Sequence, residues 1–128
     1  MRKQSSQRQK EVLDVLKRQG RPMTAYEILD TLKGGEAGLA PPTVYRALSA
    51  LTEDGRAHRL ESINAFVFCQ CAHEAHTPIL AICDGCGSVE EHADRGVMDQ
   101  LVEITRKTGF HARRPVVEVH GRCGACAA

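Results

Sequence analysis

Polar and apolar positions alternate with a helical period through the first half of the chain. Gln9, Val12, Leu13 and Leu16 share one face, with Lys10, Glu11, Asp14, Lys17 and Arg18 on the other. Gly20-Arg21-Pro22 ends this first helix. Thr24 followed three residues later by Glu27 forms a capping-box pattern. It opens a second helix with Ala25, Ile28, Leu29 and Leu32 on its apolar side. Gly34, Gly35 and Gly38 mark a loop. Pro41-Pro42 starts a third helix, with Val44, Leu48 and Leu51 inward, and Asp54-Gly55 stops it. The period then changes. Arg56–Glu61 and Ala65–Cys69 read as two strands about a Ser62-Ile63-Asn64 turn. Helix, helix, loop, helix and hairpin is the order of a winged helix-turn-helix.

The second half reads differently. Ile79–Cys83 and Ser88–Glu91 predict strands around a turn. A helix follows from about Arg95, with Val97, Met98, Leu101, Ile104 and Thr105 on one side and Gly109 as its stop. Pro115–His120 predicts a third strand. The expected fold class is α+β. A winged helix-turn-helix domain over 1–70 joins, through a linker over 71–78, a small α/β domain over 79–128. About 50 residues with one helix and three strands make a thin core, so this second domain needs a staple, either a metal or a partner chain.

Cysteine usage supplies the staple. The 128 residues include six cysteines. The segment Met1–Gln7 is basic but lacks the apolar stretch of a secretory signal. No apolar run nears the roughly 18–20 residues that span a bilayer. The chain therefore reads as soluble and cytoplasmic, where cysteines serve metal or redox chemistry more often than disulfides. Cys83-Asp84-Gly85-Cys86 and Cys123-Gly124-Ala125-Cys126 are two CxxC knuckles, each following a predicted strand. Four thiolates make a closed tetrahedral site for a structural Zn²⁺. Thiol–disulfide exchange fits less well, because it needs one CxxC at a helix start.

Charge divides the chain unevenly. Residues 1–69 carry 11 basic and 8 acidic side chains, whereas residues 70–128 carry 6 and 8. The small basic excess of the first half suits a polyanion. Thr43, Tyr45, Arg46 and Ser49 lie off the apolar stripe of the third helix, at the end from which recognition helices meet base edges. Arg46 can pair with guanine, and Thr43 can reach phosphate or a thymine methyl. Tyr26 is likewise off its helix's stripe. Tyr26, Thr43, Tyr45 and Arg46 are the DNA-contact candidates; the alternative is that the two tyrosines cover the edge of the core with wet hydroxyls. A second ligand set, His58, Cys69, His76 and Glu91, offers one thiolate, two imidazoles and a carboxylate. Spacing alone does not select it, because Glu90 rivals Glu91, and Cys71, His73, His92 and His120 are further candidates.

These segments together resemble the ferric uptake regulator family, and within it the zinc-sensing branch. The resemblance runs from about Gln7 to Cys126. It rests on Pro41–Leu48, His58-Arg59-Leu60-Glu61-Ser62, Phe68-Cys69 leading to His76-Thr77, Ile82–Gly87 leading to Glu91, and Glu118–Cys123 with Cys126. It implies a zinc-responsive, homodimeric transcriptional repressor of zinc-uptake genes that binds palindromic operators. Its second domain would dimerise through a sheet joined across the two chains. The resemblance places a structural zinc on Cys83, Cys86, Cys123 and Cys126, and a regulatory zinc on His58, Cys69, His76 and Glu91, one of each per chain. Iron-sensing relatives carry a His-rich run ending three residues before the first CxxC, where this chain has Leu80. A thiolate ligand also favours zinc over ferrous iron. The other readings are a family member responding to iron or manganese, and a zinc-stabilised protein-interaction module. An enzyme is not expected: four protein ligands leave no open metal position, and no acid/base pair or small organic substrate site stands out.

Overall fold

The structure is a computed structural model that describes residues 5–35, 38–70 and 77–127. The chain divides into two compact units, Met1–Glu74 and Ala75–Ala128.

The first unit contains α1 (Ser5–Gln19), α2 (Ala25–Lys33), α3 (Pro41–Glu53), β1 (Ala57–Leu60) and β2 (Ala65–Phe68). Its core is continuous, with Val12, Leu16, Ile28, Val44, Leu48, Leu51 and Leu60 fully buried. The three helices enclose this apolar mass and the hairpin closes one side of it. The capping box forms as expected: the Glu27 backbone N–H donates to Thr24 Oγ1 at 3.1 Å, and the Thr24 N–H donates to Glu27 Oε1 at 3.0 Å. Two groups that the α2 terminus would otherwise leave unpaired are thus satisfied. Pro41 and Pro42 occupy the first turn of α3, where no intrahelical donor is missed.

The buried face of α1 differs from the expected one. It consists of Arg8, Val12, Val15 and Leu16, a spacing of i, i+4, i+7 and i+8, whereas Gln9 and Leu13 sit at its edge. Arg8 joins it because its aliphatic stem can line the core while Nη1 donates to Glu11 Oε1 at 3.3 Å. The strands pair antiparallel, with Ala57 opposite Phe68 and His58 opposite Val67. Met23, between α1 and α2, adds an isolated bridge to Phe66, with N–H···O bonds of 2.9 and 2.8 Å. Asn64 turns the hairpin in the left-handed region, φ 49°, and its Oδ1 accepts from Arg59 Nη2 at 3.0 Å.

The second unit contains β3 (Ile79–Cys83), β4 (Val89–His92), α4 (Arg95–Arg106), β5 (Val117–Gly121) and the short α5 (Gly124–Ala127). The sheet order is β4-β3-β5, with β3 antiparallel to β4 and parallel to β5. α5 lies beyond the expected elements. Asp94 caps α4 by accepting from the Val97 N–H at 3.2 Å, and Gly109, φ +83°, turns the chain out of it. Among the described residues of this unit only Leu80, Ile82 and Cys83 are buried hydrophobics. α4 has an apolar side but no buried residue, and Val102 and Ile104 remain 38% and 53% exposed.

Candidate metal centre and nucleic-acid interface

The two CxxC knuckles meet within the second unit. Cys83 ends β3, and Gly87 (φ +77°) lets the chain double back, so that the Cys83 N–H reaches the Ser88 carbonyl at 2.9 Å. Cys123 follows β5, the parallel neighbour of β3, and Cys126 sits one turn later on α5. The Asp84 N–H donates to the Gly121 carbonyl at 2.7 Å and laces the knuckles together. As a result the sulfurs of Cys83, Cys86, Cys123 and Cys126 all lie within 4.8 Å of one another.

The donor set fits a zinc ion. A zinc–sulfur bond of about 2.3 Å in a tetrahedron puts sulfurs about 3.8 Å apart, and Cys86 Sγ lies 3.8 Å from Cys123 Sγ. The N–H groups of Gly85, Cys86 and Cys123 point at Cys83 Sγ at 3.3, 3.4 and 3.3 Å. Such donors stabilise a thiolate. They hold the Cys83 thiol down to about 6, with Cys123 the largest contributor and burial opposing. The Cys86 thiol is also lowered, first by the Ser88 hydroxyl 3.1 Å from its sulfur. Cys126 goes the other way, pushed up to about 12 by the sulfur of Cys123 first and then by those of Cys83 and Cys86. Without a cation, four sulfurs this close disfavour one another's ionisation; a divalent ion removes that repulsion. Gly85 is part of the cradle, because a Cβ there would stand 3.1 Å from Cys126 Sγ. Ser88 gave no signal in the sequence, since a serine two positions past a cysteine is unremarkable until the turn brings its hydroxyl to the sulfur.

The second candidate set is divided between the units. His58 lies on β1 and Cys69 directly follows β2. Both are buried, at 8% exposure, and a ring nitrogen of His58 lies within 4.8 Å of Cys69 Sγ. The register explains this: His58 faces Val67, Cys69 is two residues further on the same face, and the Cys69 N–H donates to the Arg56 carbonyl at 3.0 Å. Glu91 lies on β4 opposite Leu80, which places it on the other face of the sheet from Glu90. Glu90 Oε1 instead accepts from His92 Nε2 at 3.1 Å. His120, on β5, is within 3.7 Å of Asp84 and 3.8 Å of Glu118. His76, Cys71 and His73 lie outside the described residues.

Of the DNA-contact candidates, Tyr26, Tyr45 and Arg46 are exposed, Tyr26 at 62% and Tyr45 at 38%, and Thr43 is half-buried. All but Tyr26 belong to the first two turns of α3; Tyr26 is on the first turn of α2.

A model of the ferric uptake regulator family matches residues 2–120. The zinc uptake regulation proteins of Escherichia coli (strain K12) and Shigella flexneri are each 43% identical over 117 residues, covering 91% of this chain and 68% of theirs. Among solved structures, a zinc uptake regulator complexed with zinc and DNA superposes with a TM-score of 0.87 at 41% identity, covering 94% of this chain and 81% of that one. Holo XcZur follows at 0.83 and 41%, covering 94% and 84%. Two knuckles, a winged unit and sequence agreement along nearly the whole length converge on one conclusion: the chain belongs to the ferric uptake regulator family.

Proposed function

We propose that the chain is a zinc-responsive transcriptional repressor that acts as a homodimer on palindromic operators of zinc-uptake genes, in the cytoplasm. The observation that carries this reading is the buried His58–Cys69 pair inside the unit that presents α3. A thiolate beside an imidazole selects a borderline-soft ion such as Zn²⁺ over Fe²⁺ or Mn²⁺. The relatives' names, zinc uptake regulation protein and a zinc uptake regulator complexed with zinc and DNA, support it.

In this proposal each chain takes two zinc ions. Cys83, Cys86, Cys123 and Cys126 hold the structural one, and His58, Cys69, His76 and Glu91 hold the regulatory one. Bound Zn²⁺ supplies a tetrahedral centre that fixes its ligands' separation and carries out no reaction. His58 and Cys69 belong to the winged unit, and Glu91 belongs to the sheet of the second. Joining them restricts the angle between units. In a dimer this sets two α3 helices at the spacing of successive major grooves, about 34 Å. Tyr26, Thr43, Tyr45 and Arg46 then meet DNA. The apolar side of α4 and the free edge of β5 are the surfaces we assign to the dimer. Shifting a mostly incompetent population to a mostly competent one takes about 5.5 kcal/mol of differential binding.

The test is DNA binding against buffered free Zn²⁺ at fixed salt, with a palindromic operator library and with Cys69→Ser beside the native chain. The expected result is one palindrome enriched as zinc rises, with Fe²⁺ and Mn²⁺ weaker at equal free concentration. Cys69→Ser should keep one tightly held zinc per chain and lose the response. An unchanged response in Cys69→Ser would remove Cys69 from the sensor.

A further inference from the structure

The four sulfurs of the second unit are not equivalent. Cys83 Sγ accepts three backbone N–H groups, and Cys86 Sγ lies 3.1 Å from the Ser88 hydroxyl. Among the described residues, no N–H or hydroxyl group hydrogen-bonds to Cys123 Sγ or Cys126 Sγ; their polar partners are the other sulfurs. Cys83 is buried, whereas Cys123 and Cys126 are both partly open to solvent. α5, which carries Cys126, is held by the Cys126 and Ala127 N–H groups, and both donate to the Cys123 carbonyl at 3.0 and 2.8 Å. This short helix is therefore bonded to its own first turn.

We infer that the second knuckle, Cys123 with Cys126, is a modification site for soft electrophiles, the reactive arm of a centre whose first knuckle is chemically quiet. A hydrogen bond to a thiolate withdraws charge from sulfur and lowers its nucleophilicity, which follows basicity. Three such bonds quiet Cys83, and the Ser88 side chain and backbone quiet Cys86, but among the described residues none reaches the second knuckle. In the addition step a thiolate of this knuckle forms a carbon–sulfur bond to the β-carbon of an α,β-unsaturated carbonyl compound. The carbon–carbon double bond gives its electron pair to the α-carbon, which takes a proton from water. The sulfur becomes a neutral thioether, a poor zinc ligand, and the centre loses its hold on the ion. The inference rests on the structural-zinc part of the proposed function, but not on the regulatory site or on DNA.

The exposed sulfur of Cys86 is the competing target, so the order of modification decides the matter. The zinc-loaded native chain is treated with sub-stoichiometric N-ethylmaleimide, quenched over time, digested with trypsin and mapped by mass spectrometry, with released zinc read by a chromogenic chelator. Trypsin cuts after Arg122, so the second knuckle leaves in its own peptide, apart from Cys83 and Cys86. The expected result is label on the 123–128 peptide about tenfold ahead of Cys83 and Cys86, in step with zinc release. Ser88→Ala should move label toward Cys86 without changing the rate at Cys123 and Cys126. First label on Cys86 or Cys83, or equal label on all four after the zinc has gone, would overturn the inference. A chain that holds no zinc in this unit at all would instead overturn the structural site on which it rests.

Discussion

Gly85 shows how closely the candidate metal centre is drawn around single atoms. A methyl group there would lie 3.1 Å from Cys126 Sγ and 3.3 Å from Cys126 Cβ, so the sulfur must give way by a few tenths of an ångström. That displacement would move Cys126 Sγ relative to the other three sulfurs. Gly85→Ala should weaken zinc retention about 10- to 100-fold, the range for groups that orient metal ligands, measured by competition with a chelator of known affinity. Gly87 is the contrast. Its φ is +77° and nothing lies within 4 Å of an added Cβ. Gly87→Ala should cost about 1 kcal/mol of backbone strain while zinc competition stays close to native. Equal zinc affinities for Gly85→Ala and the native chain would show that α5 shifts freely to receive the methyl group. The same scale marks what sequence spacing conceals. His58 and Cys69 are brought together by hairpin register, because His58 pairs with Val67 and the strand alternation returns Cys69 to the same face. Slipping the register by one residue would part them, and no spacing rule contains that information.

At the level of elements, the legible parts of the fold were those with a period or a cap. α2 and α3 appeared in the sequence because their apolar stripes repeat at helical spacing and because Thr24, Glu27, Pro41 and Pro42 mark their starts. The buried face of α1 lies part of a turn from the one its spacing predicts, since Arg8 reads as polar while its stem is buried and Val15 falls outside the predicted stripe. The Met23–Phe66 bridge and the four-residue α5 are too short to have a period. The cap of α2 is the element-scale feature that can be tested most directly. Thr24→Ala removes the side-chain acceptor of the Glu27 N–H and keeps the backbone N–H that donates to Glu27 Oε1, so half of the capping box is lost. A loss of about 1 kcal/mol is expected, which for a unit of this size lowers the melting temperature by about 4–8 °C. Zinc content should be unchanged, because none of the proposed ligands belongs to α2. Arg46→Ala acts on the neighbouring helix in the opposite sense. Its side chain is exposed, so folding should be indifferent, while operator affinity falls by about 1–3 kcal/mol and specificity relaxes at one position. A uniform loss across all sequences would make Arg46 a phosphate contact instead.

Across the whole molecule, the two units depend on different forces. The first has a continuous core drawn from all three helices and the hairpin, with seven large side chains almost wholly excluded from solvent. The second buries only Leu80, Ile82 and Cys83 among its described hydrophobics, and one of these is a proposed zinc ligand. An area so small cannot offset the conformational entropy of ordering some 50 residues. Structural zinc sites supply about 10–16 kcal/mol, as much as an entire domain's stability. Removing the metal should therefore not melt the chain as one body. With a strong chelator, the second unit should lose its amide-exchange protection over β3, β4 and β5. α1, α2 and α3 should keep theirs, and a thermal scan should show one surviving cooperative transition. Re-adding zinc should restore the protection, with one equivalent per chain sufficing even in Cys69→Ser. Exchange protection that persists over β3–β5 after complete zinc removal would mean that association through α4 and β5, rather than the metal, holds the second unit. Dilution below the dimer dissociation constant would then have to unfold it.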